Sequence, residues 1–187
     1  MAATFLPYTI TSSATQHVRP TICIGASPGG TYLHPDAPQD DSYWIVILDA
    51  KNPKQKVKEW VVPGQNNTSV PAGIDTYMNS ADYIFAVVTQ SLRTYQVPQG
   101  DFYNFLAKYG AGGELQKLEQ LYATLSYGTY GQVSYVLTGG CGPRTPVPPP
   151  SYEVGSYHAY PALLLMSLES MPNGGPPYGI TEKYTWK

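Results

Sequence analysis

Apolar residues along this chain fall into two patterns. Three runs are apolar on nearly every residue: Tyr43-Trp44-Ile45-Val46-Ile47-Leu48, Tyr83-Ile84-Phe85-Ala86-Val87-Val88 and Val133-Ser134-Tyr135-Val136-Leu137. Runs of this length predict strands buried on both faces. Ala162-Leu163-Leu164-Leu165-Met166-Ser167-Leu168 reads as a fourth such strand, and Val57 to Val62 returns from the first run through an Ala50–Lys54 turn. The second pattern is helical. Phe102, Phe105, Leu106 and Tyr109 recur at helix spacing between a candidate N-cap at Asp101 and a stop at Gly110. Leu115, Leu118, Leu121, Tyr122 and Leu125 do the same over 113–125, and Gly73 to Ser80 allows one shorter helix.

Elsewhere the pattern weakens. Thr9-Ile10-Thr11 and Thr21-Ile22-Cys23-Ile24 are short strand candidates, and Ser27 to Asp41 is rich in Gly, Pro and Asp, predicting a long loop. Residues 1–41 therefore read as an extended N-terminal section or arm, and residues 42–187 as the main domain. The 143–150 stretch, with its run of prolines, predicts an extended, polyproline-like crossing, and the tail from Pro172 a docked coil. The order of elements gives a mixed α/β (α+β) fold: a β-sheet sandwich with two to three helices and no fixed-period repeat.

Composition narrows the function. Charged residues make up 13% of the 187 residues, against 17 Tyr, 18 Gly and 18 Pro, so the surface is polar through hydroxyls and amides. A net charge of −2 with 11 scattered Lys and Arg leaves no electrostatic footprint for nucleic acid. No apolar run approaches a membrane span. The first residues lack a basic region followed by a hydrophobic stretch, so synthesis in the cytoplasm without a signal peptide is expected, with assembly into a virion or surface structure open. Cys23 and Cys141 allow one disulfide, but in that compartment two reduced, buried thiols are expected.

The candidate chemistry is sparse. Val133–Leu137 runs into Gly139-Gly140-Cys141-Gly142, but Pro143 follows, where a phosphate cradle needs a helix; the glycines read as a close backbone approach or positive φ. Gly25-Ala26-Ser27-Pro28-Gly29 matches a nucleophile elbow, which would make Ser27 the nucleophile of a hydrolase, yet no helix follows and a turn is the better reading. His34, Asp36, Asp40 and Asp41 crowd one loop without the spacing of a calcium or zinc site, and His17 and His158 read as surface or hydrogen-bonded histidines. No catalytic constellation, metal site or cofactor is expected. What remains is a polar aromatic surface near the glycine turn: Tyr130, Tyr135, Tyr152, Tyr157 and Tyr160, with Arg144, are the candidate ligand-binding residues, since aromatic faces stack on sugars or partner surfaces at low entropic cost.

From Tyr43 to about Gly174 the chain resembles the GG domain. That domain occurs in secreted interleukin-like inducers of epithelial–mesenchymal transition and in the stem of a protein O-mannose N-acetylglucosaminyltransferase. The pieces that carry the resemblance are Trp44–Asp49 with its Lys/Asn/Pro turn, Asp75-Thr76-Tyr77 followed by Asp82 to Val88, Gly113–Leu125 with Gly128 to Leu137, the Gly139–Gly142 turn, and the closing Tyr160 to Leu165. The chain departs in having two cysteines where the family's secreted members carry two disulfides, and in its first forty residues and proline loop. The resemblance implies a compact sandwich without catalytic machinery, serving signalling or carbohydrate binding. The expectation is a non-catalytic binding module for a glycan or protein partner. The alternative is a structural subunit of a phage tail, virion or surface appendage, which a homo- or hetero-oligomer would suit.

Overall fold

A computed structural model describes residues 4–26, 28–125, 131–157, 159–170 and 177–182. The fold is mostly β, with two antiparallel five-stranded sheets and three helices. The first sheet has the order β10(Tyr178–Thr181), β9(Leu163–Ser170), β1(Phe5–Thr11), β2(Thr21–Ile24), β3(Thr31–Leu33). The second runs β5(Lys56–Pro63), β4(Ser42–Asp49), β6(Tyr83–Gln90), β7(Val133–Gly140), β8(Ser151–Tyr157).

Two cores explain the two sequence patterns. Between the sheets, Tyr8, Ile10, Ile22, Ile24, Met166 and Leu168 meet Trp44, Val46, Leu48, Ile84, Ala86, Val88 and Val136. On the other face of the second sheet, Tyr43, Ile45, Ile47, Phe85, Val87, Tyr135 and Leu137 pack beneath α1(Asp75–Met78), α2(Gly100–Lys108) and α3(Gly113–Leu125). β4, β6 and β7 are thus the middle layer of three and are apolar on both faces, whereas β1 and β2 cover one core only and alternate. Three of the four edge strands are short, as at β3 and β10, or charged, as at β5 with Lys56, Lys58 and Glu59, which discourages pairing with further chains.

Several expectations change. The N-terminal strand candidates lie in β1 and β2, and both join a full sheet: β1 lies between β2 and β9, with Tyr8 opposite Met166 and Ile10 opposite Leu164. The 27–41 loop contains β3, and the tail contributes β10, paired with β9 from Tyr178 opposite Ser170. A strand without a sequence signal, β8, pairs with β7 from Val133 opposite Tyr157 to Gly139 opposite Ser151. α2 begins one residue before Asp101, which sits in the first turn rather than capping it, while Gly110 ends the helix with φ 101° as anticipated. Of the Gly128 to Leu137 piece, Gly128 to Tyr130 lie outside the described residues, as do Ser27 and His158. Both cysteines are free; Cys141 is buried, but Cys23 is only half-buried on the outer face of the first sheet. No helix among the described residues is long and apolar enough to cross a membrane.

Candidate functional site

The glycine turn proves to be a packing corner. A Cβ on Gly139 would sit 2.8 Å from the Phe85 ring, one on Gly140 would sit 2.9 Å from Pro149, and Gly142 has φ 124°. Arg144 fastens the proline loop over this corner. Its guanidinium donates to the carbonyls of Pro149 (3.1 Å), Gly140 (3.2 Å) and Tyr109 (3.4 Å) and lies 4.8 Å from the centre of the Tyr109 ring. Its donors are largely committed to the protein itself.

The predicted tyrosines do not form one surface. Tyr135 is fully buried beneath the helices and donates to Glu153 Oε2 at 2.7 Å; burial, and then the Glu153 charge, push its phenol well above the usual value. Tyr152 packs against the inter-sheet core and Tyr157 against the helical core, where its hydroxyl is buried without a protein partner. Tyr152 pairs with Thr138 near the glycine corner and Tyr157 with Val133 at the far end of the same strand pair, roughly 17 Å away at strand rise. Of the described set, only Tyr160 is strongly exposed, at 68%, and it lies at that far end.

This far end gathers the β1–β2 turn, the β3–β4 connection, the exit of β6, the entry of β7 and the β8–β9 connection. Ser12 and Ala162 exchange bonds of 2.9 and 2.7 Å, Ser13 N–H donates to Thr89 O (3.1 Å), and Ser91 N–H donates to Ser13 O (2.7 Å). Thr94 N–H donates to Gly131 O at 3.0 Å. Among the described residues, all four non-glycine positions with positive φ lie here: His17 (63°), Asp41 (53°), Ser91 (44°) and Ala159 (63°). Such conformations persist only where surrounding contacts hold them, and they concentrate at ligand clamps and active sites.

Asp40 is the hub. Oδ1 accepts from the His17 N–H (2.9 Å), Gln90 Nε2 (3.0 Å) and Ser91 Oγ (3.3 Å), and Oδ2 lies 3.1 Å from His17 Nδ1. Partial burial opposes ionisation, but these donors and the His17 charge outweigh it and hold the Asp40 carboxyl below its ordinary value. Its neighbour Asp41 accepts from Arg93 Nε at 3.3 Å. The acidic loop is therefore divided among separate partners. Asp36 is bound by Lys56 (2.6 Å), and His34 Nδ1 contacts Pro20 O (3.1 Å). No group of three or more potential metal ligands clusters among the described residues.

Two clefts open beside this hub. The smaller, about 220 Å³, is lined by His17, Arg19, Pro38, Asp40 and Gln90. The larger, about 400 Å³, is lined by residues 11–15 together with Val18, Arg19, Thr21 and Pro161. Arg19 borders both. The hydroxyls are mostly engaged locally: Ser12 Oγ accepts from Ala162 N–H, Ser13 Oγ donates to Thr15 O, and Thr21 Oγ1 lies 3.3 Å from His34 Nδ1. The arrangement offers hydrogen-bonding groups, a cation and a small apolar floor. The strand candidate Thr9–Thr11 stops short of these residues, and the signal that could mark them is the hydroxyl density of Thr11 to Thr15 followed by His17 and Arg19. No family model matches the chain, and no curated protein matches it either.

Proposed function

We propose that the protein is a non-catalytic binding module that engages a glycan or a protein partner through the loop end of its sandwich. The observation that carries this reading is the convergence there of the four left-handed non-glycine residues around two adjoining clefts. The resemblance to the GG domain supports it. Most of its pieces fall in the second sheet and its helices, leaving the loop end as a display surface on a rigid scaffold. A glycan array followed by calorimetry tests it. Binding that weakens about tenfold in Asp40→Ala, which unhooks the loops, is expected. A wild-type chain that binds no glycan and captures no protein would sink the reading.

A subunit of a phage tail, virion or surface appendage is the second reading, favoured by the outer face of the first sheet. There Tyr32, Leu163 and Leu165 are 54%, 50% and 47% exposed, and Leu165 and Leu163 pair with Thr9 and Thr11 of β1 in a face that none of the described helices covers. Light scattering after size exclusion separates the two: oligomers abolished by Leu163→Lys with Leu165→Lys favour the subunit, and a monomer at all concentrations favours the module.

A further inference from the structure

We infer that the larger cleft takes an acidic sugar, with a sugar-borne carboxylate or sulfate on Arg19 and the ring lying toward Val18 and Pro161. The inference rests on the loop-end reading above and specifies its ligand. Three observations converge on it. First, among the described residues no hydrogen bond or ion pair engages the Arg19 guanidinium, although it borders both clefts and its side chain is exposed. Second, the carboxylate that lines the smaller cleft with it, Asp40, is already matched by His17, Gln90 and Ser91. The positive charge of Arg19 is therefore available to an incoming anion, and a planar guanidinium suits a carboxylate or sulfate through paired bonds.

Third, the remainder of the lining suits a sugar better than a bare ion. Thr11 and Thr15 line the cleft, with no partner assigned to the hydroxyl of either among the described side-chain hydrogen bonds, while Val18, 51% exposed, and Pro161 supply apolar surface for C–H faces. The volume of about 400 Å³ lies within the range of small-molecule sites and exceeds what a lone anion fills. Tyr160, adjacent to Pro161 and well exposed, offers an aromatic face for a neighbouring residue of the oligosaccharide.

The test compares matched oligosaccharides on the intact chain by calorimetry: an acidic oligosaccharide, the same compound with its carboxyl groups reduced, and a sulfated oligosaccharide with its desulfated form. The acidic forms should bind about tenfold or more tightly than their neutral counterparts, and weaken as salt is raised. Arg19→Met should erase that preference and Arg19→Lys retain part of it. Lys108→Met, which removes one positive charge on α2 near the glycine corner, should leave it intact. Arg19 is exposed, so these variants should keep the wild-type circular dichroism and melting temperature. The two pairs of ligands tell whether carboxylate or sulfate is preferred. Equal binding of acidic and neutral forms overturns the inference while leaving the loop-end reading standing. A preference unaltered in Arg19→Met also overturns it, and failure to bind any oligosaccharide removes it together with the glycan form of that reading.

Discussion

At Glu153 one carboxylate serves three donors. Oε1 accepts from the backbone N–H groups of Gly112 (2.9 Å) and Glu114 (2.8 Å), and Oε2 accepts from the Tyr135 hydroxyl (2.7 Å). A residue of β8 thereby caps α3, a helix with no capping side chain of its own at its glycine start, and the negative charge complements the helix N-terminus. Glu153→Ala should cost about 2–3 kcal/mol, since it leaves a buried phenol and two helix N–H groups without their acceptor. Glu153→Gln, which keeps acceptor capacity, should cost less. Urea unfolding midpoints measure both, and a loss under about 0.5 kcal/mol for the alanine variant would show that the cap is dispensable. The cysteines give a second expectation at this scale. Burial pushes the Cys141 thiol up to about 12, and its sulfur lies 3.8 Å from Met78 Sδ, whereas Cys23 is half-buried on the outer sheet face. A thiol reagent at neutral pH should titrate one equivalent in the native protein and two after unfolding, and Cys23→Ser should abolish the native reaction.

β1, read in sequence only as the short strand Thr9–Thr11, turns out to be central to the first sheet. Ile10 is fully buried in the inter-sheet core, and Tyr8 spans that core to reach Thr138 Oγ1 at 3.1 Å. Ile10→Ala should therefore cost about 2–5 kcal/mol in chemical unfolding, where an appended arm would lose almost nothing. The contrast shows what was legible in sequence. β4, β6 and β7 announce themselves because each is buried on two faces, and α3 turns Leu115, Leu118, Leu121 and Tyr122 of its expected stripe to the core. β1 shows only its alternation; its partner β9 lies some 150 residues later, and nothing local encodes that pairing. β8 is half-buried at every position, with Glu153 used as a cap and Gly155 at a spot where a Cβ would lie 2.9 Å from Glu114 Oε2, so neither period is visible. β3 and β10 are too short to register a pattern. The candidate site was the least legible of all. His17, Asp40 and Gln90 meet through three connections, and the left-handed backbones at His17, Asp41 and Ser91 are imposed by tertiary contacts rather than by turn-favouring glycines.

For the whole molecule, the distribution of buried ionisable groups makes stability asymmetric in pH. Tyr8, Tyr43 and Tyr135 are fully buried, and burial raises all three phenols; the Tyr43 hydroxyl also donates to Gln96 O. Cys141 is raised in the same sense, from 9.0 to about 12. A group that releases its proton more reluctantly folded than unfolded favours the native state fully below its unfolded value, and this contribution fades as pH climbs toward its folded value. Stability should thus hold to about pH 9, then fall as the thiol, and from about pH 10 the phenols, ionise preferentially in the unfolded chain. On the acid side, Asp36, Asp40 and Asp82 are lowered, so their contribution is present above the ordinary carboxylate range and lost below it. Asp36 and Asp82 are exposed and Asp40 is partly so, and solvent screening keeps that loss small. Urea midpoints followed across pH should fall more steeply above pH 10 than below pH 4. The phenols provide an independent reading: ultraviolet difference absorbance should show the exposed tyrosines ionising first, with the buried ones following only in step with the loss of circular dichroism. Complete phenolate formation in a chain that retains its native spectrum would contradict the burial of these three rings in a closed core.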